Sequence, residues 1–325
     1  MTMTMSTPPD RPPPRRRADP AERLRTTCAA VRVSLRWLGC HKALSAEQKA
    51  TAADAFDASD RFLSAAKKLL DTKHPAFRAV TAVRGRILDY WKGMTLPYPE
   101  PGIRLIRQDR IEAFHNELTE RREELDAAVG ALDERFEELK LAARERLGRL
   151  FDPHDYPSSL RGLFAVEWDF PSVEPPGYLS ELNPALYDEE CRRVASRFDE
   201  ALALAEEAFS TELAGLVAHL SDRLSGAADG KPKVFRDSVV ANLVEFFDRF
   251  RRLNVRSNDQ LDTLVAQARE IVQGIEPQSL RENRILRNTV AGELGELRQS
   301  LDQFLVERPR RNILRRPQPA AAESP

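Results

Sequence analysis

Two stretches of this 325-residue chain place apolar side chains three or four positions apart over an unusual length, broken once by a seven-residue step from Leu118 to Leu125. The first, 109–150, carries Ile111, Phe114, Leu118, Leu125, Val129, Leu132, Phe136, Leu139, Ala143, Leu147 and Leu150. The second, 184–225, carries Tyr187, Cys191, Val194, Phe198, Leu202, Ala205, Phe209, Leu213, Leu216, Leu220 and Leu224. Steps that alternate between three and four are close to a coiled-coil repeat. At 1.5 Å per residue each helix reaches about 60 Å. A single stripe that long has to be covered, by a neighbouring helix or by a second chain. The segment between them, 151–183, includes the Pro-rich "FPSVEPPGYL" and is long enough to bring the chain back beside its start. The expectation is an intramolecular antiparallel pair that forms a coiled-coil-like arm.

A period of two appears elsewhere. In "VRVSLRW", Val31, Val33, Leu35 and Trp37 alternate with Arg32, Ser34 and Arg36, and in "LFAVEWDF" Phe164, Val166, Trp168 and Phe170 share one face. Alternation of this kind marks a half-buried strand. With "GIRLI" (102–106) these runs predict a small antiparallel sheet of about three strands over 31–37, 103–106 and 164–170. The rest reads as helix, about nine in all, so the fold class expected is mainly α, an α+β chain. Ser45 with Gln48 forms a capping box opening a helix to about Phe56, and Asp109 with Glu112 repeats that pattern. A second helix is expected over Asp60–Asp71. A third starts at Pro75 and ends at Gly93 as its C-terminal cap, with Phe77, Val80, Ile87 and Trp91 on one side. C-terminal helices are expected at about 237–252, 258–273 and 280–306, with Ser257 as cap of the middle one.

The net charge is −1, unevenly spread. Residues 1–25 hold six arginines against Asp10, Asp19 and Glu22, and 307–325 hold five against Glu307 and Glu323, which leaves the body acidic. The domain organisation expected is a disordered Pro/Arg-rich tail over 1–25, a single domain over 26–307 and a disordered basic tail over 308–325. No apolar run approaches the ~20 residues of a membrane-spanning helix. No secretory pattern opens the chain. Cys28, Cys40 and Cys191 form no CxxC pair. They read as reduced thiols of a cytoplasmic protein rather than a disulfide frame or a zinc site.

The stretch "GAADGKPKVFRDSVV", 226–240, has the glycines and lysines of a phosphate loop but not its order. Gly226 and Gly230 stand one residue too close for GxxxxGK, and Pro232 occupies the place of the magnesium-binding hydroxyl while removing an amide donor. It reads instead as a helix end, a turn, and a cap at Asp237 or Ser238. Lys231, Lys233 and Arg236 remain candidate polyanion contacts, together with Arg310, Arg311, Arg315 and Arg316 of the C-terminal tail and Arg15, Arg16 and Arg17 of the N-terminal one. The five histidines, 41, 74, 115, 154 and 219, show no metal-ligand spacing. Carboxylates mostly sit at helical spacing from a base, as in Glu117 with Arg121 and Glu145 with Arg149. No GxSxG or GxGxxG is present. No cofactor or metal is expected, and no catalytic residue is assigned.

Four runs, "HPAFRAVTAVRGRILDYWKGMTLPYPEPGIRLI", "LGRLFDPHDYPSSL", "DGKPKVFRDSVVANLVEFF" and "ERPRRNIL", carry a resemblance. They resemble a domain-of-unknown-function family found on bacterial chromosomes, phages and plasmids, and the likeness covers most of 28–316. The family has no established activity, so no site residue is implied. The resemblance implies an accessory or adaptor role, since relatives are encoded beside AAA+ ATPases and von Willebrand A-domain proteins. The functional expectation is therefore a non-enzymatic cytoplasmic helical adaptor with a protein partner. The alternative is a sequence-independent nucleic-acid binder acting through the basic tails, by phosphate contacts that weaken steeply with salt.

Overall fold

The computed structural model describes residues 19–225 and 237–307. In chain order these hold α1 (Pro20–Thr27), β1 (Cys28–Arg36), β2 (His41–Ala43), α2 (Ala46–Asp54), β3 (Ala66–Lys68), α3 (Pro75–Met94), β4 (Leu96–Pro97), β5 (Ile103–Arg107), α4 (Ile111–Glu134), α5 (Phe136–Leu147) and β6 (Ala165–Asp169). There follow α6 (Tyr178–Leu182), α7 (Pro184–Leu224), α8 (Ser238–Leu253), α9 (Asp259–Val272), α10 (Pro277–Glu282) and α11 (Arg284–Glu307). The molecule is mainly helical, with a four-stranded antiparallel sheet and a separate two-stranded one. Two compact units divide the chain, Met1–Leu204 and Ala205–Pro325.

In the first unit the sheet order is β4-β5-β1-β6. The three expected strands are all present, and β4 adds a short edge. Strand β1 is central, with Ala30 opposite Leu105 of β5 and Val33 opposite Trp168 of β6. Its alternation puts Val31, Val33 and Leu35 into the core. On the other face Arg32 lies directly opposite Asp169 and reaches it at 2.6 Å.

The core face of the sheet is covered by α3 and α4. Pro75 opens α3 and His74 caps it, its Nδ1 accepting from the Ala76 amide at 3.3 Å. Phe77, Val80, Val83 and Ile87 are buried along one side. Gly93 is the penultimate residue of α3, not a cap; Thr95, already extended, ends the helix. Along α4, Phe114, Leu118, Leu125, Val129 and Leu132 are buried in the same cluster, and Tyr90 stacks on Phe114 with ring centroids 5.7 Å apart. Phe164 closes the core, edge-on to Trp37 at 4.9 Å and to Phe77 at 6.4 Å.

The expected arm is not seen within the first unit. The stripe of 109–150 is buried against α3 and the sheet of that unit. Nor is it one helix. It breaks at Arg135, two residues after Asp133, whose carboxylate accepts from the Leu160 amide at 2.7 Å and from Ser159 Oγ at 3.1 Å. The Asp109–Glu112 capping box does not form either. Arg107 donates to both Asp109 oxygens, at 3.0 and 3.1 Å, and a 3₁₀ turn over Gln108–Arg110 leads into α4.

The Ser45–Gln48 box does form, in both directions, at 3.1 and 3.2 Å. Ser45→Ala is expected to cost about 1 kcal/mol, measured as a lower urea midpoint with unchanged slope.

Residues 19–25, placed in the N-terminal tail by the sequence reading, are ordered in α1. Asp19 caps it, Pro20 takes the first turn, Leu24 is fully buried, and Arg25 donates to Glu174 at 2.7 Å. The first half of α7 belongs to this unit. There Val194, Phe198 and Ala201 are buried, Phe198 meets Tyr98 edge-on at 5.7 Å, and Arg197 pairs with Glu100 at 2.6 Å.

In the second unit, Phe209 on the later part of α7 sits against Phe246 and Phe250 of α8, at 6.2 and 5.0 Å. The buried face continues through Leu213, Val217, Leu220 and Leu224. Val217 takes the place expected of Leu216, so the face follows the 3.6-residue period more than a heptad. Asn258, not Ser257, caps α9, its Oδ1 accepting from the Leu261 amide at 3.0 Å; Ser257 instead donates to Glu206. The expected last helix is two, α10 and α11, separated at Asn283, whose Oδ1 accepts from the Leu286 amide at 3.0 Å.

Candidate interaction surface

The largest departure from the sequence reading marks the candidate site. Residues 60–71, expected as a helix, form a 3₁₀ turn over Asp60–Phe62 and then β3. Strand β3 pairs antiparallel with β2, so 44–65 is an excursion that leaves and returns through one two-stranded base. The Leu44 amide donates to the Ala65 carbonyl at 3.1 Å, and the Leu69 amide to Cys40 at 2.8 Å.

That base contains an unfavourable element and its remedy. Lys42 and Lys67 are direct cross-strand partners. Like charges so placed repel. Asp155, in the 3₁₀ turn Pro153–Asp155, lies between them. One of its oxygens accepts from Lys42 and the other stands 2.5 Å from Lys67 Nζ. The Lys67 and Asp155 side chains are only 4% and 2% exposed, and the ammonium also donates to the Leu150 carbonyl at 2.7 Å. Burial alone pushes the Asp155 carboxyl up, but the hydrogen bonds and charges of Lys42 and Lys67 outweigh it and hold the group below the usual carboxylate range. Tyr156, the next residue, donates its hydroxyl to the Leu69 carbonyl at 3.0 Å, and Arg146 reaches Asp71 at 2.8 Å. The base is thus clamped to the end of α5 and the turn after it.

What the clamped excursion presents is apolar. Phe56 is 80% exposed and Phe62 93%, the two most exposed aromatic side chains among the described residues. Between them the chain is held by local geometry. Helix α2 ends with the Ala58 amide on the Ala53 carbonyl and the Asp57 amide on Asp54, at 3.0 and 3.3 Å, with Asp57 in the left-handed region at φ 50°. This is the hydrogen-bond pattern of a Schellman cap, with aspartate in the position that usually falls to glycine. Asp54, Asp57 and Asp60 stand against Arg61 in this stretch, so the segment that carries the two rings is acidic. A second exposed apolar group, Tyr178, Leu182 and Leu186, lies where α6 passes into α7.

The residues singled out from the sequence fall elsewhere. Lys231, Lys233 and Arg236, and the tail arginines Arg310, Arg311, Arg315 and Arg316, lie outside the described residues, as do Arg15, Arg16 and Arg17. Asp237 holds the N-cap position of α8 in a helical conformation without a capping bond, and its carboxylate pairs with Arg281. Glu117 does pair with Arg121. His74 serves as a cap, His115 Nδ1 accepts from the Trp168 indole at 3.2 Å, and His154 binds Asp152 at 3.0 Å. Cys28 and Cys40 are buried, and burial pushes both thiols up, away from the reactive thiolate. Among the described residues no group of three or more His, Cys, Asp or Glu is placed to hold a metal ion, and no helix is long and apolar enough to cross a membrane. Compared with known protein families, curated proteins and solved structures, the chain matches none.

Proposed function

We propose that this protein is a non-enzymatic helical adaptor that grips a partner protein with Phe56 and Phe62. The observation that carries the reading is the pairing of near-complete ring exposure with an excursion whose base is fixed by a buried ion cluster. Burying a large apolar side chain is worth about 1.5–3 kcal/mol, so two solvated phenylalanines hold back binding energy that a complementary surface recovers. The rigid base limits the entropy lost on docking. Three aspartates around the rings favour a hollow with a basic rim over an anionic membrane surface. The AAA+ ATPases implied by the family resemblance are the first partners to try.

The double substitution Phe56→Ser, Phe62→Ser tests this. Both side chains are exposed, so stability is expected to stay within about 0.5 kcal/mol of wild type by urea titration. Co-purification from the native host is expected to lose the partner band. Retention of that band at wild-type stoichiometry by a folded double variant counts against the proposal.

A further inference from the structure

The second unit contains a cleft unrelated to the phenylalanine excursion. It lies between α8, α9 and the connection joining them, and has a volume of about 510 Å³, within the range of small-molecule sites. Its floor is apolar, made by the buried Phe247, Phe250 and Val265. Its rim carries three guanidinium groups from three different elements: Arg251 at the end of α8, Arg256 in the connection and Arg269 on α9. Asp262 and Glu270 also line it, so the rim is basic by a single charge.

The connection is built to hold this shape. Asn254 ends α8 and bridges to α9, its side-chain amide donating to Asp262 while its Oδ1 accepts from the Arg256 amide at 2.9 Å. Arg256 stands at φ 52°, a region uncommon for residues other than glycine, asparagine and aspartate. A non-glycine residue kept there is strained, and such strain collects at ligand-binding positions. Arg251 meets Asp248 at 3.3 Å, with both side chains largely exposed. An exposed pair of this kind exchanges readily for a better anion. Arg269 makes no ion pair with another described residue.

We infer that this cleft binds a small amphipathic organic anion, a phosphate ester or carboxylate carried on a flat apolar body. The body rests on Phe247, Phe250 and Val265. The anionic end lies among Arg251, Arg256 and Arg269, whose planar forks match its oxygens.

Isothermal titration of the full chain with 1-naphthyl phosphate, 1-naphthol and inorganic phosphate tests the assignment. Naphthyl phosphate is expected to bind at least about tenfold more tightly than either the uncharged ring or the free anion. Arg269→Gln is expected to weaken it about tenfold, while Arg252→Gln, on α8 but outside the cleft, leaves it unchanged. Circular dichroism melts of both variants are expected to match wild type, because both side chains are exposed. The inference is overturned if naphthol binds as well as its phosphate, if inorganic phosphate alone equals it, if Arg269→Gln binds like wild type, or if naphthyl phosphate shows no heat of binding at millimolar concentration.

Discussion

Asp155→Ala is expected to cost the protein about 3–5 kcal/mol, the usual penalty for removing one partner of a buried ion pair, and to lower the melting temperature on the order of 10 °C. The cause is what it leaves behind. The Lys67 ammonium, 4% exposed, keeps only the Leu150 carbonyl as a partner and loses its neutralising charge. Lys42, half exposed, turns to solvent. The double variant Lys67→Met, Asp155→Ala is therefore expected to be more stable than Asp155→Ala alone, a sign of coupling that a merely additive pair does not show. Acid separates the two partners further. Because the folded carboxyl titrates below its unfolded value, its contribution is fully present above the unfolded carboxylate pKa, about 3.9. It is lost as pH falls through the lower folded value. Urea midpoints of wild type and Asp155→Asn are thus expected to differ at neutral pH and to converge below about pH 4. A constant gap across that range is inconsistent with the clamp.

Leu132→Asp is expected to cost about 4 kcal/mol or more, since it places a carboxylate in a fully buried apolar site. Leu132 belongs to the cluster formed by α3, α4 and the sheet of its own unit. The loss is therefore expected to be the same at low and high protein concentration. A seam shared by two chains predicts the opposite, a stability loss that deepens on dilution. Melting curves of wild type and variant at concentrations about a hundredfold apart decide between them, because a dimer's stability follows mass action.

How far the sequence carries the fold depends on how local each determinant is. Strands β1 and β6 were legible because alternation along one strand needs no knowledge of its neighbours. The Ser45–Gln48 box was legible for the same reason. Asp109–Glu112 shows the identical pattern and fails, because Arg107 takes the Asp109 carboxylate first. The stripe on 109–150 revealed a face in need of cover, and Leu118, Leu125, Val129 and Leu132 are indeed buried. An apolar stripe does not say what covers it, and within the first unit α3 and the sheet do. Residues 60–71 lost their expected helix to a contact distant in sequence. Lys67 is fixed beside Asp155, and β2 supplies the backbone partners that a helix otherwise provides internally. The candidate site went unseen for that reason. On a helix Phe62 reads as one more core residue, and only the turn and strand leave it in water. Its one visible signal was the aspartate spacing around the rings, Asp54, Asp57 and Asp60, which suits no core. Asn254 and Arg256 gave no signal of the α8–α9 cleft, because its walls meet only in the folded unit.

The most direct test of the adaptor reading is photocrosslinking in the native host, with benzoylphenylalanine placed singly at Phe56, Phe62 or Leu141. All three positions are exposed, and Leu141 on α5 lies outside the excursion. The account predicts one heterologous adduct of the same mass from positions 56 and 62, absent from 141 and lost when Asp155→Ala loosens the base. An adduct pattern equal at all three positions, or crosslinks confined to a second copy of this chain, contradicts it.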